Sequence, residues 1–148
     1  SGAPAIAMHT LDTPERMQVN PEYDDVSRQV CAHLQERLMA CERAGVDRNQ
    51  VLLDPGIGFG KTLEHNVALL RHLPELVALG RPVLVGTSRK RFLGELTERT
   101  VEDRDRATVA SCAVAITLGA HIIRVHDVHG GRDVARVVDG IAPGASRR

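Results

Sequence analysis

The sequence predicts an α/β fold in which parallel strands alternate with helices. Four short apolar runs lie at residues 4–8, 51–53, 82–85 and 122–125. None of them alternates polar with apolar residues, which is typical of strands covered on both faces of a parallel sheet. A segment with helical spacing follows each run, and this alternation is typical of parallel α/β proteins. Two architectures fit the pattern, a small doubly wound sheet and half of an eight-stranded barrel.

The first predicted helix lies between the first two strands. Its apolar residues recur every three or four positions, which indicates one buried face. Asp24 or Asp25 can cap the start of this helix, and Gly45 stands just after its end. The buried stripe is predicted to consist of Val26, Val30, Leu34, Leu38 and Cys41.

The later helices follow the second, third and fourth strands. The third of them, over 104–118, is apolar on most sides, so we expect a second layer, such as another subunit, to cover it. Residues 142–148 are expected to form a frayed tail. The pattern places helices at 63–73 with a break at Pro74, at 89–96, at 104–118 with an end at Gly119, and at 132–141 with Val134, Ala135 and Val138 inward.

The amino-acid composition excludes several kinds of binding partner. The 148 residues amount to one domain, and 19 basic residues balance 19 acidic ones, so neither nucleic acid nor an anionic membrane is expected as a partner. No apolar run approaches the roughly 20 residues of a membrane span. The three cysteines, Cys31, Cys41 and Cys112, are widely spaced among apolar neighbours. We expect buried free thiols and therefore a reducing, cytoplasmic environment.

A glycine-rich segment follows the second strand. Residues 54–62 begin with Asp54 and end in Gly60-Lys61-Thr62, which resembles the end of a phosphate-binding loop. The position that such a loop needs as its first glycine is Pro55, which has no N–H to donate. A second interpretation is that the glycines form only a tight turn. Neither explains why a carboxylate ends the strand.

The other strand ends also carry polar side chains, and in parallel α/β proteins all these ends lie on one face. Asp54 can accept two parallel N–H bonds from a guanidine-like heterocycle. Arg124 and His126 alternate to one face and suit a phosphate or a diphosphate. The remaining strand-end candidates are Met8, His9, Ser88, Arg89 and Lys90.

Each candidate also has a purely structural interpretation. Asp54 could cap the next helix, Lys90 could be solvated, and Asp127 could be the ion-pair partner of Arg124. His9 is interpreted as a hydrogen-bonded residue at the sheet edge rather than a metal ligand. The other histidines have no metal-ligand spacing.

Three of these segments resemble motifs of the dihydropteroate synthases, a family of pterin-binding enzymes. They are Asp54-Pro-Gly-Ile-Gly-Phe-Gly-Lys61, Gly86-Thr-Ser-Arg-Lys90 and Arg124-Val-His-Asp-Val128, in the family's order and at similar separations. Ala7-Met8-His9 and the segment from Asn20 to Val26 are similar to the family's fifth strand and the helix after it. The resemblance covers most of residues 4–141.

This resemblance implies a (β/α)₈ TIM barrel, of which residues 1–148 would be the C-terminal half of a single domain. The implied reaction joins p-aminobenzoate to 6-hydroxymethyl-7,8-dihydropterin diphosphate and releases pyrophosphate, in folate biosynthesis. The resemblance also implies a homodimer and Mg²⁺, whose ligand would lie in the missing N-terminal half. The chain alone is expected to be inactive.

Residue roles are carried over by motif position. Asp54 resembles the residue that binds the pterin's amino edge, and Lys90 one that contacts the pterin ring. Arg124 and His126 resemble the pair that binds the departing diphosphate. No residue resembles an acid–base catalyst, a nucleophile or a metal ligand. Pocket walls are implied at Met8, Phe59 and Ser88, whereas Arg91 replaces a serine that is common in the family, so that residue's aminobenzoate contact is not carried over.

Two other functions fit some of the same residues. A methyltetrahydrofolate-binding methyltransferase uses a related barrel, and Asp54 would serve it equally well. Arg124 and His126 favour the synthase, because a methyl donor has no diphosphate to release. A non-catalytic pterin-binding paralogue is the third hypothesis, since catalysis needs parts that this chain does not contain.

Overall fold

The strands form a parallel sheet in chain order. A computed structural model describes residues 2–13, 15–17 and 19–141; the predicted frayed tail lies outside the described residues. These residues contain four strands, namely β1 (Ala5–Met8), β2 (Val51–Asp54), β3 (Leu84–Val85) and β4 (Ile122–Ile123). β1 pairs with β2, with Met8 opposite Asp54, and β3 pairs with β4. A parallel bridge between Leu53 and Val83 joins the two pairs. The predicted α/β class is confirmed.

The prediction that every strand is covered on both faces holds for only two of them. β2 and β3 are buried along most of their length. β1 and β4 are not, since Ile6 is 49% exposed and Ile122 is 39% exposed. In the described part of the chain these strands have a neighbour on one side only. The apolar composition of a strand therefore does not reveal whether it lies at an edge.

Six α-helices accompany the sheet in the described residues, and the cap and apolar stripe of the first were predicted correctly apart from Cys41. The Asp25 side chain accepts a hydrogen bond from the Arg28 N–H and caps α1, and Gly45 follows its end with a φ of +81°. Val26, Val30, Leu34 and Leu38 are buried, whereas Cys41 is half-buried. The helices are α1 (Val26–Arg43), α2 (Leu63–Arg71), α3 (Leu73–Val77), α4 (Arg91–Thr97), α5 (Asp105–Thr117) and α6 (Val128–Ile141).

The last helix begins four residues earlier than predicted. Asp127 Oδ1 accepts a hydrogen bond from the Gly130 N–H at 3.1 Å, so Asp127 lies at the start of α6. A Cβ on Gly131 would come within 2.7 Å of Val125, and glycine permits this close packing. Val134 and Val138 are buried as predicted, and Ala135 is half-buried.

One expectation about burial needs correction. Cys112 is a buried free thiol, but Cys31 and Cys41 are partly exposed. Helix α5 packs against α4, α6 and β4, and Val114 is 52% exposed, so its cover by a second subunit stays a prediction. None of the helices in the described residues combines the length and the apolar character needed to cross a membrane.

Candidate functional site

A glycine loop leads from the end of β2 to α2. The φ angles of Gly56, Gly58 and Gly60 are +67°, +80° and +63°. Residues with a Cβ atom rarely adopt such positive values, whereas glycine does so readily. A Cβ on Gly56 would collide with the carbonyl oxygen of His9, and one on Gly58 would lie 2.9 Å from Lys90 Cδ. The glycines therefore supply both the backbone angles and the space for close packing.

The N–H groups of Gly58 and Phe59 in this loop bond within the protein, unlike those of a phosphate-binding loop. The Gly58 N–H donates to Asn66 Oδ1 at 2.7 Å, and the Phe59 N–H donates to the Gly56 carbonyl at 3.0 Å. A phosphate cradle needs such N–H groups directed at the ligand. The loop's hydrogen bonds therefore favour a turn that shapes the site over a phosphate-binding loop.

Asp54 lies at the base of the site and is only 1% exposed. Its Oδ1 accepts from the Gly56 N–H at 2.8 Å, and its Oδ2 accepts from Arg124 Nη2 at 3.2 Å. Burial raises the pKa of Asp54, while the Gly56 N–H and the nearby cations Arg124, Lys90 and Lys61 oppose that rise. The carboxylate is thus held by partners from two different strand ends.

The interpretation of Asp54 as a helix cap is wrong. Helix α2 is capped by Thr62, whose hydroxyl accepts from the His65 N–H at 3.3 Å. The His65 ring in turn accepts from the Thr62 N–H at 3.2 Å. With the cap supplied by Thr62, the carboxylate of Asp54 belongs to the strand-end cluster.

Lys90 is half-buried and lies over an aromatic ring. Its Nζ is 3.9 Å from the centroid of the Phe59 ring, within the range of a cation–π contact. Burial lowers the pKa of Lys90, and the neighbouring Arg124 lowers it further, whereas Asp54 raises it. The interpretation of Lys90 as a solvated surface lysine is therefore wrong.

Ser88 and His126 form a second polar pair at the same edge. The Ser88 hydroxyl oxygen accepts from the His126 N–H at 3.2 Å and lies 2.8 Å from His126 Nδ1. Ser88 is buried, so it fixes the orientation of the exposed His126. Met8, the last residue of β1, is half-buried and pairs in register with Asp54.

Two sequence-based ideas about Arg124 are corrected. β4 ends at Ile123, so Arg124 lies just beyond the strand, and its side chain is 53% exposed rather than buried. Its partner is Asp54, 70 residues away in the chain, and not Asp127. The guanidinium also packs against Gly86, where a Cβ would lie 3.3 Å from Arg124 Nε. Arg124 consequently joins the ends of β2, β3 and β4.

Helix α5 braces the turn that carries Ser88 and Lys90. Arg89 has a φ of +56°, an unusual value for a non-glycine residue. Its N–H donates to Thr108 Oγ1 at 3.0 Å, and its guanidinium donates to both oxygens of Asp105 at 2.8 and 3.0 Å. Arg104 Nη1 donates to the Arg89 carbonyl at 3.2 Å. These bracing residues could not be predicted from the sequence, because no local pattern links them to the turn.

Lys61 is the second group that sequence analysis missed. It lies at the end of both the segment weighed as a phosphate-binding loop and the first family-like motif, but no role was assigned to it. It is 5% exposed and contacts both His9 and the backbone of the glycine loop. A lysine at the end of a glycine-rich segment carries no signal of burial, since lysines are mostly exposed.

A cavity of about 520 Å³ opens beside Lys90, between the N-terminal ends of α2 and α4. Its lining includes Gly58, Lys61, Asn66, Lys90, Arg91 and Phe92. The guanidinium of Arg91 is exposed and donates to Glu95 at 2.6 Å. The described residues contain no group of three or more His, Cys, Asp or Glu side chains that could hold a metal ion. The cavity is open, its lining also includes the acidic Glu64 and Glu95, and Lys90 belongs both to it and to the strand-end cluster of Asp54 and Arg124.

Known proteins share this arrangement of sequence and fold. A family model for pterin-binding enzymes matches residues 1–126. The dihydropteroate synthase of Neisseria meningitidis serogroup C is 44% identical over 136 residues, which cover 90% of this chain and 48% of that protein. The chain therefore spans about half the length of this curated relative.

Two solved structures match the fold closely. Dihydropteroate synthase from Stenotrophomonas maltophilia superimposes with a TM-score of 0.92 at 43% identity, over 96% of this chain and 55% of that one. The enzyme from Xanthomonas albilineans in complex with 7,8-dihydropteroate gives a TM-score of 0.86 at 44% identity, over 95% and 51% of the two chains. On the match to residues 1–126, this chain belongs to the family of pterin-binding enzymes.

Proposed function

We propose that the complete protein carrying this chain is a dihydropteroate synthase. The buried carboxylate of Asp54 is the observation that carries this proposal. A carboxylate offers about four acceptor positions, and Gly56 and Arg124 occupy two of them. The remaining positions suit the paired N–H donors at the amino edge of a pterin. The dihydropteroate-bound relative from Xanthomonas albilineans supports the choice of ligand.

The proposed chemistry depends on placement and charge. The amine nitrogen of p-aminobenzoate forms a bond to the exocyclic methylene of the pterin, the C–O bond to the diphosphate breaks, and the amine releases a proton to solvent. Arg124 and His126 neutralise the leaving diphosphate, and Lys90 lies against the pterin ring. Since the electron-rich pterin stabilises positive charge at the methylene, the protein needs neither a nucleophile nor a strong base.

The arylamine is proposed to bind on the Phe59 side of Lys90, toward the 520 Å³ cavity. Phe59 offers an apolar surface for its ring, and the cationic Lys90 and Arg91 lie near the opening. Met8 and Ser88 complete the walls of the pterin pocket. These assignments extend the strand-end cluster to both substrates, with Arg91 as the one further charged group that they use.

We further propose that this chain forms the C-terminal half of a (β/α)₈ barrel. The exposed Ile6 and Ile122 lie on the two edge strands, which in a closed barrel would have neighbours on both sides. Residues 1–148 expressed alone should therefore self-associate or lack a cooperative thermal transition. A sharp, monomeric, two-state transition would contradict this proposal.

The remaining parts of the proposal concern the metal, the oligomer and the compartment. Mg²⁺ is proposed as a cofactor of the complete protein, with its ligand outside the described residues.

A homodimer through α5 and α6 is also proposed, and the exposed Val109, Val114 and Val137 support it. A monomer at micromolar concentration in sedimentation would refute the homodimer. The free thiols support a cytoplasmic location.

The decisive experiment supplies the complete protein with 6-hydroxymethyl-7,8-dihydropterin diphosphate, Mg²⁺ and labelled p-aminobenzoate. We expect dihydropteroate and pyrophosphate in equal amounts. A parallel reaction offers methyltetrahydrofolate and a methyl acceptor. Methyl transfer without condensation would favour the methyltransferase, and pterin binding without either reaction would favour a non-catalytic paralogue.

A further inference from the structure

Lys61 is a buried lysine that the proposed chemistry does not use. Its Nζ donates to the Phe59 carbonyl at 2.9 Å and lies 3.0 Å from His9 Nδ1. The same Nζ is 5.9 Å from the centroid of the Tyr23 ring. The ammonium therefore lies between the glycine loop and the end of β1, with hydrogen-bond partners on both sides.

The protonation states at this contact are consistent with one another. An ammonium group has no acceptor, so His9 Nδ1 must accept, and His9 is then neutral. Burial, followed by the charge of Lys61, lowers the pKa of His9 to about 3. Burial also lowers the pKa of Lys61 to about 8, while Asp54 opposes that change. Near pH 7 the pair is thus a charged donor and a neutral acceptor.

The space around the ammonium suits lysine in particular. Lys61 and Lys90 are the only lysines in the sequence, which has 17 arginines. A Cβ at Gly56 would lie 3.5 Å from Lys61 Nζ, so the loop backbone closes tightly over the amine. A compact ammonium with three rotatable donors fits this gap, whereas a planar guanidinium is wider.

We propose that Lys61 is a positioning residue that holds the glycine loop against β1 and so presents Phe59 to the arylamine substrate. The hydrogen bond to the Phe59 carbonyl fixes the backbone of the residue whose ring contacts Lys90. Tyr23 secures the neighbouring part of the loop, since its hydroxyl donates to the Gly60 carbonyl at 3.0 Å. The identity of the substrate rests on the proposed function; the restraint on the loop does not.

The first test removes the ammonium and measures the loop without any ligand. Lys61→Met in the full-length protein keeps most of the side chain's length but leaves the Phe59 carbonyl without this donor. Amide hydrogen exchange at Gly56, Gly58 and Phe59 should quicken about tenfold or more, while α1 amides stay unchanged, because a lost buried hydrogen bond has an effect of that size. Unchanged loop exchange, or equal acceleration in α1, would overturn the proposal.

A second variant tests the same proposal without changing Lys61. His9→Leu removes the acceptor on β1 and leaves Lys61 in place, so it should quicken exchange at the same three amides by a smaller factor. If Lys61→Met does not fold, His9→Leu decides by itself: a loop that exchanges as in the parent protein overturns the proposal.

Kinetics then separates positioning from general destabilisation. In Lys61→Met the KM for p-aminobenzoate should rise about tenfold, while the KM for the pterin diphosphate changes less than threefold, because Asp54 lies on the strand and Phe59 on the loop. Equal changes in both would overturn the proposal. A parent protein that forms no dihydropteroate would refute the proposed function alone, since the exchange measurements need no substrate.

Discussion

Two connections at the same edge of the sheet shape the site in different ways. The loop after β2, over 55–61, has three glycines with positive φ and is held by its own Lys61. The turn after β3, over 86–90, has its one positive φ at Arg89. That turn is held by Asp105 and Thr108, which lie 16 and 19 residues further along the chain.

The difference shows two routes to a fixed ligand-binding backbone. The glycine loop obtains its shape from local conformational freedom, so its damaging substitutions lie within the loop itself. The Arg89 turn adopts a disfavoured angle because α5 surrounds it with partners, so its damaging substitutions lie on another element. Substitutions within each of the two connections distinguish these routes.

Substitution of Asp54 should have the largest effect on binding. Asp54→Asn in the full-length protein replaces an acceptor with a donor that faces the pterin's own donors. Pterin affinity should fall by about 2–5 kcal/mol, as for a buried charged partner that is lost. Calorimetric titration with free pterin measures this change, and unaltered affinity would contradict the assigned role.

Arg124→Ala serves as the contrast to Asp54→Asn. It should weaken the pterin diphosphate much more than the free pterin, because only the former carries the anion. Equal losses for both ligands would show that Arg124 acts chiefly through its contact with Asp54.

Within the glycine loop, a methyl group at Gly56 should be the most damaging. Gly56→Ala combines a φ of +67° with a collision against the His9 carbonyl, so the free energy of unfolding should drop by about 2–4 kcal/mol. Gly45→Ala is the matched control, since its φ is +81° but no atom lies within 4 Å of the added Cβ. Its cost should be about 1 kcal/mol in urea titration. Equal costs would mean that close packing contributes nothing.

In the Arg89 turn, the sensitive position lies on α5. Thr108→Val keeps the shape of the side chain but removes the acceptor of the Arg89 N–H. The expected loss is about 1–3 kcal/mol of stability, with a weaker contact between Lys90 and its ligand. Thr117→Val, at the exposed end of the same helix, controls for helix propensity. If the two variants are equally stable, the turn does not depend on α5.

Acid should loosen the Arg89 turn by a small amount. The guanidinium of Arg89 donates to Asp105 and lowers the pKa of that carboxyl. Because the pKa is lowered in the folded state, the ion pair stabilises that state at pH values above about 4, the ordinary pKa of aspartate. This contribution disappears as the pH falls through the lowered pKa. Hydrogen exchange at the Arg89 amide, compared between pH 6 and pH 3 after correction for intrinsic rates, should show the loss. Asp105→Asn should abolish that pH dependence, and a variant that retains it would contradict the assignment.

Local features of the site and fold were predictable from the sequence. The Asp25 cap, the apolar stripe of α1 and the glycines that follow helices or bend the loop all depend on neighbouring residues. The strand-end rule also selected Asp54, Lys90, Arg124 and His126, because the carboxyl ends of parallel strands lie on one face. Such inferences need only spacing and backbone preference.

Contacts between distant segments were predictable only in part. Asp127 was weighed as the partner of Arg124, but it bonds to Gly130 at the start of α6, and Asp54 takes its place. The exposed faces of β1 and β4 were mistaken for buried ones, since edge and central strands can have the same composition. The charge and hydrophobicity of a side chain do not determine which distant residue it contacts in the fold.

The sequence by itself determined the strand–helix alternation, the Asp25 cap of α1, the positive-φ glycines and the identity of the strand-end side chains. These follow from properties of residues close together in the chain. Only the tertiary structure decided that Arg124 meets Asp54, that Lys61 is buried against His9 and that α5 braces Arg89. Each of these contacts joins residues brought together by packing, and the free energy that selects them depends on the whole arrangement of strands and helices rather than on any local pattern.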